Sequence, residues 1–175
     1  MWLPLLQMLL YHKTMKTSIL VKPVLILPGT VLVFVPAIIL IATYDTRFSF
    51  EFIGSDRLLF WPGVVAACLG LALAFWTVSL FTKFGQGTPA PWDPPQKLVV
   101  RGPYRYVRNP MITSVLFMLT AESLLLQSWP IFLWLLTFFL LNCIYFPLFE
   151  ERSLEKRLGE DYRVYKKMSL AGFPG

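Results

Sequence analysis

The chain is poor in the residues that bind metals and in charge. Its 175 residues include one histidine, His12, and two cysteines, Cys68 and Cys143. No Cys/His cluster with metal-ligand spacing can be assembled from so few, which excludes a zinc site of the usual kinds. Both cysteines fall within apolar runs, where inert thiols or a disulfide between helices are the two readings. Charged residues make up 15% of the chain, against about a quarter in an ordinary soluble domain. No internal repeat is visible, which argues against an inverted-repeat transporter. The opening Met1 to Tyr11 is apolar but short. It lacks the basic leader and small-residue cleavage site of a secretory signal, and reads as an interfacial or re-entrant helix.

Hydrophobic residues, by contrast, make up 56% of the chain, and the mean hydropathy is +0.60. They are blocked into runs too long for ordinary core helices, which predicts an all-α integral membrane helical bundle. Four transmembrane spans are expected, at about 24–44, 58–81, 110–127 and 130–149. Pro28 and Pro36 predict kinks in the first. In the second, Ala66, Ala67, Gly70, Ala72 and Ala74 allow another helix to approach closely. Pro110 suits the first turn of the third. Ser128 is the expected N-cap of the fourth, so the third and fourth form an antiparallel hairpin. Residues 82–109 form a loop that is rich in Gly and Pro at its start. From 150 to 168 a charged segment carries Leu154, Leu158, Tyr162 and Tyr165 on one stripe, which predicts an amphipathic helix at the membrane surface.

Charge then orients the bundle. With four spans, the N-terminus, the 82–109 loop and the C-terminal tail share one side, and only Arg47 and Arg57 among the lysines and arginines fall on the other. That asymmetry predicts cytoplasmic termini, in the cell inner membrane.

One mouth of the bundle concentrates the chemistry. Leu98 and Val99 lead into Gly102-Pro103-Tyr104-Arg105-Tyr106-Val107-Arg108-Asn109-Pro110-Met111, and after the hairpin come Glu150-Glu151 and Gly159-Glu160-Asp161-Tyr162-Arg163-Val164-Tyr165-Lys166-Lys167. A basic, aromatic loop facing a carboxylate pair at one mouth suits a polar, nucleotide-like cofactor at the lipid boundary. Simpler readings stand beside this one. Arg101, Arg105 and Arg108 can anchor the chain on lipid phosphates, the tyrosines can belong to an interfacial belt, and the acids can begin a solvated helix. Glu122 is expected in the middle of the third span, where a carboxylate is costly unless protonated, paired or facing a cavity. Asn142 suits interhelical bonding, and His12 is expected to face headgroups.

In their linear order these elements resemble the isoprenylcysteine carboxyl methyltransferase and phospholipid methyltransferase family of membrane enzymes. The likeness covers about Phe84 to Lys167. It implies S-adenosylmethionine-dependent methyl transfer to a lipid or other hydrophobic small-molecule acceptor at the cytoplasmic face. A small thiol or amine acceptor, and a non-catalytic relative of the same fold, are the alternatives. The resemblance places the cofactor against Gln96, Lys97, Leu98 and Val99, against Tyr104, against Asn109, Pro110, Met111 and Ile112, and against Glu150. The cofactor's ammonium suits a carboxylate such as Glu150 or Glu151, and its adenine ring can stack on Tyr104 or Tyr106. Catalysis is assigned to Glu151, which can take the proton of an amine acceptor, and to Arg108. Glu122, Asn142 and Phe146 are assigned to a substrate tunnel. Asn109, Ile112 and Ser114 stand where the family has His, Tyr and Gly. Phe146 stands where the prenylcysteine enzymes hold a substrate carboxylate with Arg, which argues against prenylcysteine as the acceptor. The expected partners are the lipid bilayer and the acceptor, with no nucleic acid and no metal.

Overall fold

The computed structural model describes residues 26, 28–80, 83–84 and 100–168. The predicted cofactor residues Gln96, Lys97, Leu98 and Val99 lie outside these, as do His12 and the opening segment. Every regular element among the described residues is helical. A π-helical turn, Thr30–Phe34, leads into α1 (Val35–Thr43), and α2 runs Phe60–Leu80. A 3-10 turn, Gly102–Arg105, precedes α3 (Pro110–Leu125) and α4 (Trp129–Tyr145). A second π turn, Phe146–Glu150, joins α4 to α5 (Glu151–Leu158), and α6 is Glu160–Met168. Two helices are long and apolar enough to cross a membrane, α2 and the continuous stretch Trp129–Leu158, while Thr30–Thr43 and Pro110–Leu125 are apolar but shorter.

The core of the bundle is the α2–α3 pair. Gly63, Ala66, Gly70 and Thr77 are the buried residues of α2, spaced as one helical stripe. A Cβ at Gly63 would meet the Leu125 side chain at 2.8 Å, and one at Gly70 would stand 3.1 Å from the Met118 amide nitrogen and the Ser114 carbonyl oxygen. Seven residues forward on α2 thus match seven backward on α3, so the helices are antiparallel and nearly in backbone contact. Ser114, Val115, Leu119, Ala121 and Ser123 are buried on α3. Ala66 and Gly70 do pack as the small-residue pattern implied. Ala67, Ala72 and Ala74 lie outside the buried stripe.

The π turns Thr30–Phe34 and Phe146–Glu150 lie at prolines. Val35 N–H bonds to the Thr30 carbonyl just before Pro36, and Glu151 N–H bonds to the Phe146 carbonyl across Pro147. Proline has no N–H to give and its ring crowds the carbonyl four residues back, so a wider turn accommodates it. The Val31 carbonyl in the first π turn accepts the Trp134 indole N–H at 3.1 Å, which ties α1 to α4. The kink predicted at Pro36 is therefore a π turn held by a neighbouring helix.

At one end of the α2–α3 pair, Glu51 and Ile53 amides bond to the Leu126 and Leu125 carbonyls. The 44–59 link is hooked there onto the end of α3. The tight connection to α4 comes next, with Gln127 at φ 45° and Ser128 capping α4 through Ile131 N–H, as its sequence position predicted. The 3-10 turn and the start of α3 occupy the opposite end. The expected separation of fourth span and C-terminal helix is not what forms, because helix continues through Pro147 to Leu158. The chain breaks only at Gly159, whose φ of 59° is open to glycine. Cys68 and Cys143 are free thiols, with Cys68 exposed on the flank of α2.

Candidate functional site

The loop entering α3 is fixed from both sides. Gly102 has φ +57°, and a Cβ there would stand 3.0 Å from Leu80 and 3.1 Å from the Trp76 ring. The loop backbone therefore lies directly on the last turns of α2, in a conformation few side chains tolerate. The turn is then closed by Tyr106 and Val107 amides, each 3.0 Å from the Pro103 carbonyl. Asn109 ends the loop as the N-cap of α3, its side-chain oxygen accepting from Ile112 N–H at 3.2 Å. Asparagine is among the best N-caps, which gives a structural reason for Asn109 at this position. Pro110 sits at the first helical position and is buried, where its missing N–H costs nothing.

Opposite this loop stand the acids that end the fourth apolar run. Glu151 is 3% exposed and both its oxygens are taken. Oε1 pairs with the Arg108 guanidinium, and Oε2 with Lys166 Nζ at 2.6 Å. Lys166 also reaches Glu155 at 3.1 Å, and its hydrogen bonds to the two glutamates raise its pKa. Arg108 further donates to the Lys166 carbonyl at 3.3 Å. Three elements, the loop, α5 and α6, are thus joined through one carboxylate.

A tyrosine cluster completes the joint. Tyr165 donates its hydroxyl to the Tyr104 carbonyl at 2.6 Å, and the Tyr162 and Tyr165 rings lie 5.9 Å apart. Burial pushes the Tyr165 phenol up to about 12, with the Arg108 charge opposing the shift. The phenols of Tyr104 and Tyr162 are raised further, by burial first and then by neighbours that include Glu150. The Tyr162 hydroxyl is buried with no hydrogen-bond partner among the described residues. Glu150 sits among these tyrosines. Burial raises its pKa, the Arg157 charge works against the rise, and among the described residues its carboxylate has no ion-pair partner.

The far side of the loop borders an open cavity of about 460 Å³, lined by Trp76, Gly102, Pro103, Arg105, Tyr106 and Val107. One turn of 3-10 helix, three residues per turn, separates the two faces. Tyr104 is buried on the acid side, whereas Tyr106 is 64% exposed and lines the cavity.

The structure therefore brings together Tyr104, Arg108, Glu150 and Glu151 of the sequence-assigned residues. Asn109, Pro110 and Ile112 serve locally to start α3, and Met111 is half-buried beside them. Tyr106 is not with the acids, because two positions along a tight turn carry it to the other face. Phe146 is buried at 3% exposure at the start of the π turn. Asn142 turns its amide onto its own helix, donating to the Phe138 carbonyl at 2.7 Å, not across to a neighbour. Glu122 lies in the last turn of α3 and not mid-span, at the mouth opposite the acids, with Oε2 buried and unpartnered among the described residues. Sequence reasoning misses Lys166, Tyr162 and Tyr165 as site residues. Their presence in the Gly-acid-acid-Tyr tail is the available signal, and the amphipathic stripe conceals it.

Among the described residues the chain is all-helical, with two apolar helices long enough to cross a membrane and a basic aromatic loop ion-paired to Glu151, the architecture of a membrane-associated helical protein. The phospholipid methyltransferase family profile matches residues 58–161, and the chain belongs to that family. The match runs from the start of α2 through the acid pair and ends at residue 161, so it covers Arg108 and Glu151 but not Tyr162, Tyr165 or Lys166. Neither a curated protein nor a solved structure matches the chain. Family membership makes it a methyltransferase of the lipid-directed type.

Proposed function

We propose that the chain transfers a methyl group from S-adenosylmethionine to a lipid or other hydrophobic small-molecule acceptor at the cytoplasmic membrane face. The observation that carries this reading is the convergence of the motif loop and the C-terminal acids, with Glu150 left as a half-buried carboxylate lacking an ion-pair partner among the described residues. Such a group suits the cofactor's ammonium, and the unpartnered Tyr162 hydroxyl offers a second polar contact beside it. The residues fit the cofactor on these grounds. Glu150 and Tyr104 would hold it, together with the backbone around residues 96–99 and 109–112. When bound, the cofactor supplies an electrophilic methyl group.

The chain's own residues then align and shield. The Arg108–Glu151–Lys166 joint holds the loop against α5 and α6, so the reacting groups keep one geometry and water is kept out. Glu151 can receive a proton from an amine acceptor only once Lys166, the more exposed of its two partners, lets go. Arg108 would stay to hold the carboxylate in place.

Four spans, both termini in the cytoplasm and residence in the cell inner membrane complete the proposal. The basic residues favour that orientation, and the meeting of residues 104–108 with 150–151 at one mouth is what an out-and-back α3–α4 hairpin requires. At about 1.5 Å per residue α3 covers roughly 24 Å, short of a typical hydrocarbon core of about 30 Å, so the bilayer would thin around it.

The test is a methylation assay on the full-length chain in nanodiscs with tritiated S-adenosylmethionine and a total lipid extract. Label should enter the organic phase, and Glu150→Ala should lower its rate by at least about tenfold, as expected for a lost charge-assisted bond. Absence of labelled lipid with the parent chain would favour the non-catalytic reading.

A further inference from the structure

Among the described side chains of α6, Tyr162 and Tyr165 are buried, while Glu160, Arg163 and Val164 face outward. The two tyrosines and Lys166 close over the acids and the motif loop, and water can replace each bond that holds them there. Tyr165 donates to the Tyr104 carbonyl, a neutral bond that trades for one to solvent. Lys166 pairs with Glu151 and Glu155, but its side chain is 38% exposed, and solvent-screened pairs contribute little. Arg108 reaches the Lys166 carbonyl only at 3.3 Å. Tyr162 works against closure, because its hydroxyl is buried without a partner among the described residues and regains one in water.

The joint before α6 suits movement. The helix that runs through α5 stops at Gly159, whose φ of 59° and ψ of −131° few residues but glycine adopt. A Cβ at Gly159 meets nothing within 4 Å, so no neighbour crowds the pivot. α5 stays anchored, since it continues from α4 through the π turn and Glu151 keeps Arg108 when Lys166 leaves.

We propose that α6 is a hinged lid over the acids, pivoting at Gly159 and latched by Lys166 and Tyr165, and that this structure is its shut form. With the lid down, Tyr162 and Tyr165 cover Glu150 and the acid-facing side of Tyr104. Lifting it opens that side to the solvent at the mouth of the bundle. That the lid admits S-adenosylmethionine rests on the proposed function; that α6 swings at Gly159 does not.

The motion is read by electron spin resonance distances on the full-length chain in nanodiscs, with Cys68 and Cys143 replaced by alanine. One label pair joins the loop to α6 (Arg105→Cys with Val164→Cys), and a control pair joins the loop to α5 (Arg105→Cys with Arg152→Cys). Without ligand, the loop–α6 pair should give a short and a longer distance, and the loop–α5 pair one distance. Tyr165→Phe and Lys166→Met should each raise the ratio of long to short about fivefold. A single loop–α6 distance in the parent and both variants, or equal spread in the loop–α5 pair, would overturn the lid. S-adenosylmethionine should collect the loop–α6 pair at the short distance. Calorimetric binding of S-adenosylmethionine that leaves both distances populated as before would overturn the lid as the cover of the donor site. Two distances with no binding of S-adenosylmethionine support the lid and contradict only the proposed function.

Discussion

Glu150 and Glu151 are adjacent in the chain but stand in different electrostatic surroundings. Glu151 is clamped by Arg108 and Lys166, whereas Glu150 lies among tyrosines that do not neutralise it. Glu151→Ala removes the buried carboxylate that joins Arg108 to Lys166 and should destabilise the chain by about 3–5 kcal/mol, read as a lowered thermal unfolding midpoint in detergent. At Glu150 the sign reverses. Burial raises its pKa above the ordinary 4.5, so the folded chain favours the protonated form. The associated stability is present below the unfolded pKa and lost as pH rises through the folded one. Glu150→Gln, neutral at every pH, should therefore raise the unfolding midpoint at pH 7 while weakening cofactor binding. Binding by the parent should weaken as pH falls through the raised Glu150 pKa, at a higher pH than an unperturbed carboxylate would give, and Glu150→Gln should remove that dependence. The acids themselves were legible in the sequence as a polar pair after an apolar run. The division of labour between them was not, because it depends on Lys166 reaching back from α6.

Among the elements, the contact of α2 with α3 sets the register of everything at the acid mouth. Gly70→Ala would drive a methyl group against the α3 backbone, and a loss of about 1–3 kcal/mol is expected. Gly29→Ala, where the backbone is helical and a Cβ meets nothing within 4 Å, should instead stabilise by about 0.4–1 kcal/mol in the same unfolding measurement. The small residues of α2 and the cap at Ser128 could be read from the sequence, since spacing and side-chain type carry them locally, whereas Asn109 was assigned to the cofactor and its capping role appears only in the structure. The π turns could not. Pro36 and Pro147 announce a disturbance, but whether the helix bends, breaks or widens depends on what lies alongside, here Trp134 beside Val31. The second π turn matters to the site, because an extra residue rotates the downstream helix α5 by about 100° and so bears on which acid faces the loop. Glu122 shows the converse error: a count along the chain placed it mid-membrane, while the actual end of α3 at Leu125 leaves it near the opposite mouth.

At the scale of the molecule, the chain joins its second half to itself through one ion-paired carboxylate, and the proposed orientation puts that joint in the cytoplasm. A fluorescent-protein fusion at the C-terminus should fluoresce and an alkaline-phosphatase fusion at the same place should be inactive, with the reverse expected in the 44–59 link. The apolar blocks and the basic asymmetry made the membrane class legible from composition. The two faces of the motif loop were hidden, since Tyr104 and Tyr106 look equivalent in sequence and separate only once the 3-10 turn is built on Gly102. The most direct measurement of the central claim is a calorimetric titration of the purified full-length chain with S-adenosylmethionine, run beside Glu150→Gln and Gly29→Ala. Saturable binding by the parent and by Gly29→Ala, weakened at least about tenfold in Glu150→Gln, is the predicted result. Equal affinity in all three, or no binding by the parent, would contradict a cofactor site between the motif loop and the acids.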